Sequence, residues 1–216
     1  MTVHFPNESP EYRAARADLL QAEIDLRQQI ETVAAKRRAL PKGGAVPTDY
    51  GFSDLLGGRR SMSSLFGDHD TLAIYSLMYG PNATSPCPMC SAFLDGLTGQ
   101  IGHIQKRMSI AVIAQNSPQR LSELQDQMSW QALPLFSAQD TSYQTDYLGQ
   151  SPDGDQLPMI NIFVRNDDDI RHFWGSEMFY APSDWHPRHV DALWPLWNLL
   201  DLTPSGRGTH MPSLSA

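Results

Sequence analysis

Cysteine is nearly absent from this chain, with 2 among 216 residues. That excludes a disulfide-stapled scaffold, which depends on several bridges. Excess positive charge is missing too. Lys and Arg number 16 against 24 Asp and Glu, leaving −8 at pH 7. Nucleic acid and anionic membranes are therefore not expected as partners, since neither gains counterion release from an acidic chain. No apolar run approaches the roughly 18 residues that span a bilayer. There is no internal repeat. There is also no Gly-rich nucleotide fingerprint, so no cofactor is expected, and electrons should come from another dithiol rather than a bound nicotinamide or flavin. The opening MTVHFPNESPEYRAAR has no basic start and no apolar stretch of roughly 7–15 residues, which leads us to expect a cytoplasmic location.

What is present is concentrated. Both cysteines sit in one C-x-x-C, Cys87-Pro88-Met89-Cys90. Structural disulfides are rare in the cytoplasm, so such a pair points to redox or metal chemistry.

The surrounding elements give the pair a setting. Residues 10–40 read as a long helix: Ser9 can cap it, Pro10 suits its first turn, and Lys36, Arg37 and Arg38 suit its end. Tyr12, Leu19, Leu26, Val33 and Leu40 recur every seven residues, a stripe able to pair with a second copy of the chain. The spacing divides the chain into a helical extension (1–42), a linker with short structure (43–70), an α/β domain (71–203) and a mobile Gly- and Ser-rich tail (204–216). Leu72–Tyr79 reads as a buried strand. A helical stripe follows through Cys90, Leu94, Leu97, Ile101, Ile104 and Met108, interrupted by Gly96, Gly99 and Gly102, which predict a kink or break. Strands are expected at 109–114, 133–137 and 159–165, the last turning through 166–169 into a hairpin partner at 170–177. Helices are expected at 117–130 and, with Pro195 limiting its regularity, at 188–201. Alternation of this kind predicts an α/β fold with a central sheet flanked by helices.

A helix start at Cys87 explains how it would react. The thiolate is the attacking species, and a helix N-terminus favours the anion. Pro88 fits the first helical position because it has no N–H to lose there. Cys90 lies three residues on and in phase with the apolar stripe, so it is the buried partner. Cys87 is then the exposed nucleophile and Cys90 the residue that resolves a mixed disulfide. A purely structural bridge is poorly motivated, since a four-residue loop stabilises by only about 2 kcal/mol. A zinc or copper site would need further ligands, for which His69, His103, His172, His186 and His189 are candidates by type. Pro158 at the first residue of a strand also calls for a reason, and a cis peptide bond is one. Aromatics gather late in the chain at Phe173, Trp174, Tyr180, Trp185, Trp194 and Trp197. They suit a core, a subunit interface or a substrate cleft, and Trp174 is the candidate binding residue because it lies on a strand near Pro158.

These features resemble the thioredoxin fold, in which a cis-proline before an antiparallel strand faces the C-x-x-C. More closely, HFPNESPEYRAARADLLQAEIDLRQQIE, RRALPKGGAVPTDY, LFGDHDTLAIYSLMYGP, CPMCSAFLDGL, LPMINIFVRNDDDIRHFWGSEMFYAP and RHVDALWPLWNLLDLTPSGRG resemble the bacterial thioredoxin-like proteins of domain-of-unknown-function family 899, described as dithiol–disulfide oxidoreductases from their fold. The resemblance implies an attacking Cys87, a resolving Cys90, a cis-proline at Pro158, and Leu157 presenting backbone to a protein or small-thiol substrate. It departs in one respect. Typical thioredoxins carry a buried carboxylate in the strand before the motif, and Leu72–Tyr79 contains none. Asp95, His172 and Glu177 are candidates by type for the base that serves Cys90. The expected activity is thiol–disulfide exchange. The alternatives are thiol peroxidase chemistry through a sulfenic acid, or a redox-sensing binding protein that holds copper or zinc.

Overall fold

The computed structural model describes residues 4–167, 169–182 and 189–214. The chain divides into two compact units, Met1–Lys42 and Gly43–Ala216.

The first unit is one helix, α1 (Pro10–Arg38), of 29 residues. The Ser9 side chain accepts from the Tyr12 N–H, and Lys36, Arg37 and Arg38 occupy the last turn. At about 1.5 Å per residue it is about 44 Å long. None of its residues is buried, and Tyr12, Leu19 and Leu26 of the heptad stripe are exposed. No helix among the described residues is long and apolar enough to cross a membrane.

The second unit is built on a seven-stranded mixed sheet. Its strands are β1 (Gly51–Ser53), β2 (Arg59–Ser61), β3 (Thr71–Ser76), β4 (Ser109–Ala114), β5 (Leu135–Ser137), β6 (Met159–Asn166) and β7 (Asp169–Gly175), in the spatial order β2-β1-β5-β4-β3-β6-β7. β3, β4 and β5 run parallel, β6 is antiparallel to β3, and β7 is antiparallel to β6. The order β4-β3-β6-β7 is that of a thioredoxin-like domain. Helices connect the parallel strands: α3 (Pro88–Thr98) and α4 (Ile101–Ile104) join β3 to β4, and α5 (Pro118–Gln127) joins β4 to β5. The expected break falls at Gly99 and Gln100, between α3 and α4. Short helices α2 (Met62–Leu65), α6 (Tyr143–Asp146) and α7 (Pro195–Leu200) complete the unit.

Strand alternation sorts the core into two layers. Ala73, Tyr75, Ile110, Val112 and Ala114 face one layer with α3. Leu72, Ile74, Ala111, Ile113 and Phe163 face the other with Tyr50, Phe52 and Tyr143.

Four expectations change. Residues 43–70 are not a linker: they supply β1 and β2 to the sheet and bury Tyr50, Phe52, Met62 and Phe66. These strands have three residues each, too short for periodicity to register. The Leu157–Pro158 bond is trans, since no peptide bond among the described residues is cis. A proline just ahead of a strand sacrifices no ladder hydrogen bond, so trans satisfies that position. The helix expected over 188–201 is reduced to a 3₁₀ turn at Asp191–Leu193 followed by α7, because Pro195 starts a new helix. The segment 204–214 is anchored rather than loose, as Arg207 hydrogen-bonds to both Asp191 and Asp201. Asp168, Trp185, His186 and Arg188 lie outside the described residues.

Candidate active site

Cys87 is the N-cap of α3, with Pro88 at the first helical position. Its backbone is fixed at both sides. The Cys87 N–H donates to the Met78 carbonyl at 3.0 Å, and its own carbonyl accepts from the Ser91 N–H at 3.0 Å and the Ser91 hydroxyl at 3.1 Å. The sulfur therefore sits where the unpaired N–H groups of a helix start converge. Cys90 is one turn further, buried against the sheet at 2% exposure, whereas Cys87 is half-buried.

This difference in setting separates the two thiols. Cys87 is lowered from an ordinary value of 9.0 to about 6. The hydrogen bond from Cys90 contributes most, burial opposes it, and the N–H groups of Cys90 and Met89 add to the effect. Those N–H groups aim at the sulfur without closing a side-chain cap. Cys90 is pushed well upward, first by its hydrogen bond to Cys87 and then by burial. It carries the shared proton, and Cys87 carries the charge.

Two further groups act on Cys90: the Tyr75 side chain and the Met78 backbone both favour its thiolate, against the burial that opposes it. Tyr75 lies on β3, fully buried, with its ring 4.9 Å from that of Phe93. Burial and the neighbouring Cys90 hold its phenol in the neutral, donating form. The sequence reading sought a partner for Cys90 among carboxylates and histidines and missed this residue. The available signal was period two: Tyr75 shares a face with Ala73, the face on which α3 packs.

The residues expected to serve Cys90 are engaged elsewhere. Asp95 accepts from the Trp130 indole N–H at 2.7 Å. His172 contacts Asn161 at 2.9 Å in the opposite core layer, where burial lowers its pKa. Glu177 is exposed at the start of a 3₁₀ turn.

A cavity of about 350 Å³ adjoins both sulfurs. Met78, Met89, Pro158, Trp194, Trp197 and Met211 supply most of its apolar wall. Tyr75, Phe93, Trp194 and Trp197 form a chain of ring contacts behind it, with centroids 4.9, 5.8 and 5.3 Å apart. The late aromatics thus serve the core and the cleft at once. Pro158 is brought to the cysteines as expected. Leu157 and Trp174 are not part of the lining. Leu157 turns its N–H to the Gly149 carbonyl at 2.9 Å, and Trp174 pairs with Ile162 in the β6–β7 ladder.

Of the histidines weighed as metal ligands, only His189 lines this cavity among the described residues. His69 contacts the Gln105 carbonyl and His103 is exposed at α4. No three His, Cys, Asp or Glu side chains among the described residues gather as a metal site.

The sequence profile of one bacterial family, described as a bacterial protein of unknown function (DUF899), matches residues 1–215. No curated protein matches. Among solved structures, peroxidoxin BcpB from Mycobacterium tuberculosis is similar at 17% identity and a TM-score of 0.47, covering 72% of this chain and 95% of that one. A peroxiredoxin Q variant from Xanthomonas campestris gives 13%, 0.47, 73% and 96%. The exposed lipoprotein thioredoxin of Streptococcus pneumoniae gives 11%, 0.44, 68% and 98%. These are likenesses of fold.

Proposed function

The chain belongs to that DUF899 family, and from that premise we propose that it is a thiol–disulfide oxidoreductase whose redox centre is Cys87 and Cys90. The observation that carries the reading is the unequal pair: a half-exposed sulfur at a helix start, lowered to about 6, beside a buried sulfur that keeps its proton.

In the first step the Cys87 thiolate attacks one sulfur of a disulfide RS–SR. The Cys87–SR bond forms, the S–S bond breaks, and RS⁻ leaves and takes a proton from solvent. The charge on Cys87 is now gone, and with it the main influence that kept Cys90 protonated. Cys90 gives its proton to solvent, its thiolate favoured by the Tyr75 side chain and the Met78 backbone. Its sulfur attacks Cys87, the Cys87–Cys90 disulfide forms, and the second RS⁻ departs and is protonated. Two electrons have passed from the cysteine pair to the substrate. An external dithiol reverses the sequence and restores the pair. The reducing cytoplasm, where such a pair is kept as thiols, suits this role.

The test is a pair of single substitutions assayed on a small disulfide. Cys87→Ser should abolish thiol release. Cys90→Ser should retain the first release and accumulate a mixed disulfide, visible as added mass on the intact protein. If Cys87→Ser reacts as the wild type does, the reading is wrong.

A further inference from the structure

The cavity beside the dithiol is closed on one side by the segment around Gly206-Arg207-Gly208. Gly206 and Gly208 both have positive φ, 56° and 51°, a backbone that glycine adopts without strain. Arg207 lies between these two glycines. Its guanidinium makes a two-point contact with Asp201, donates to Asp191 at 2.6 Å, and lies 5.1 Å from the centre of the Trp197 ring. The ring of His210 rests 6.1 Å from the same tryptophan. Arg207, Gly208, His210 and Met211 thereby become part of the cavity lining. The fork of Arg207 is already matched by two carboxylates, so it is not offered to an anionic substrate.

We propose that this cavity is the substrate pocket and that its substrate is a small, uncharged organic disulfide, and not a disulfide on a folded protein. The proposal rests on the exchange chemistry above and narrows it. Methionine sulfurs and indole rings offer the polarizable contacts that suit sulfur-containing, apolar groups. A cavity of about 350 Å³ lies in the range of small-molecule pockets. A disulfide in a folded protein is flanked by backbone on both sides, which makes it bulkier than a cavity of this size takes in.

Binding is tested apart from chemistry in the Cys87→Ser/Cys90→Ser variant, which cannot exchange. Dithiodipyridine, uncharged and compact, should quench tryptophan fluorescence saturably. Absence of saturable binding overturns the proposal. Selectivity is tested on the wild type with dithiodipyridine, oxidised glutathione and insulin, each rate divided by that of free dithiothreitol with the same disulfide. The ratio for dithiodipyridine should exceed the other two by at least about tenfold. Arg207→Ala, which frees the roof, should raise the insulin ratio. Equal ratios for insulin and dithiodipyridine in the wild type overturn the proposal. If no disulfide outpaces its reference while dithiodipyridine still binds the double variant, the exchange reading fails and the pocket stands.

Discussion

The two layers on either side of the sheet bury similar material and treat charge differently. Behind the sheet, Tyr50 packs edge to face with Tyr143 and Tyr147, Tyr143 with Phe52, and Tyr147 with Phe163, and burial pushes all three phenols upward. His172, in the same layer, is lowered by burial. Every one of these shifts favours a neutral group. In front of the sheet, Tyr75 and Cys90 follow the same rule. Cys87 alone among these groups goes the other way. The contrast shows that an aromatic core does not by itself make a reactive centre. Burial disfavours charge on both sides, and what reverses it for Cys87 is a neighbouring thiol donor together with the N–H groups of a helix start.

The most severe way to break the contrast is to damage the rear layer alone. Phe163 is fully buried, so Phe163→Ala should cost about 3–5 kcal/mol in urea unfolding. The thiolate absorbance of Cys87, titrated in the folded protein, should keep its midpoint. A moved midpoint would mean the layers are coupled through the sheet.

The next largest effect is on pH. The thiolate is the reactive form, so alkylation of Cys87 should rise about tenfold between pH 5 and 7 and then flatten, with a midpoint of about 6. A free cysteine would still be rising above pH 8. The same shift has a sign for stability. A depressed acid adds stability that is complete above its unfolded value and is lost as pH falls through its folded value. The reduced protein should therefore lose stability as pH falls from about 9 to about 6, and Cys87→Ser should remove that slope. Cys90, shifted upward, acts only at higher pH.

Tyr75 and Ser76 are neighbours on β3 that face opposite layers, and they sharpen the comparison. Tyr75→Phe keeps the ring contact with Phe93 and removes the donor to Cys90. It should leave the first thiol release unchanged and slow the second by about tenfold, as read by stopped flow. Ser76 donates to Gln144 at 2.7 Å in the rear layer. Ser76→Ala should cost about 1 kcal/mol in unfolding and leave both releases alone.

Much of this was legible in the sequence where periodicity was strong. The runs at 72–79, 109–114 and 159–165 and the stripe beginning at Cys90 placed the central strands and α3 because each spans enough residues to show its period. The unequal settings of Cys87 and Cys90, one half-buried and one buried, followed from that phase. What escaped depended on tertiary partners. β1 and β2 are strands because Ser53 pairs with Ser137 and Phe52 fills the rear layer, neither of which a three-residue segment announces. Tyr75 was hidden inside an apolar run, where its hydroxyl looked incidental. Arg207 was read as part of a loose tail, since two glycines beside it suggest freedom; the carboxylates that anchor it are distant in pattern, not in space.

Cys87 and Cys90 line one cavity of about 350 Å³, and in the proposed exchange this has a consequence for turnover. The disulfide that would take electrons from the pair and the thiol that would return them must reach the same sulfur. Oxidation and recovery would then be separate half-cycles of a substituted-enzyme scheme, with no complex holding donor and acceptor together, and either partner in excess would obstruct the half-cycle that belongs to the other.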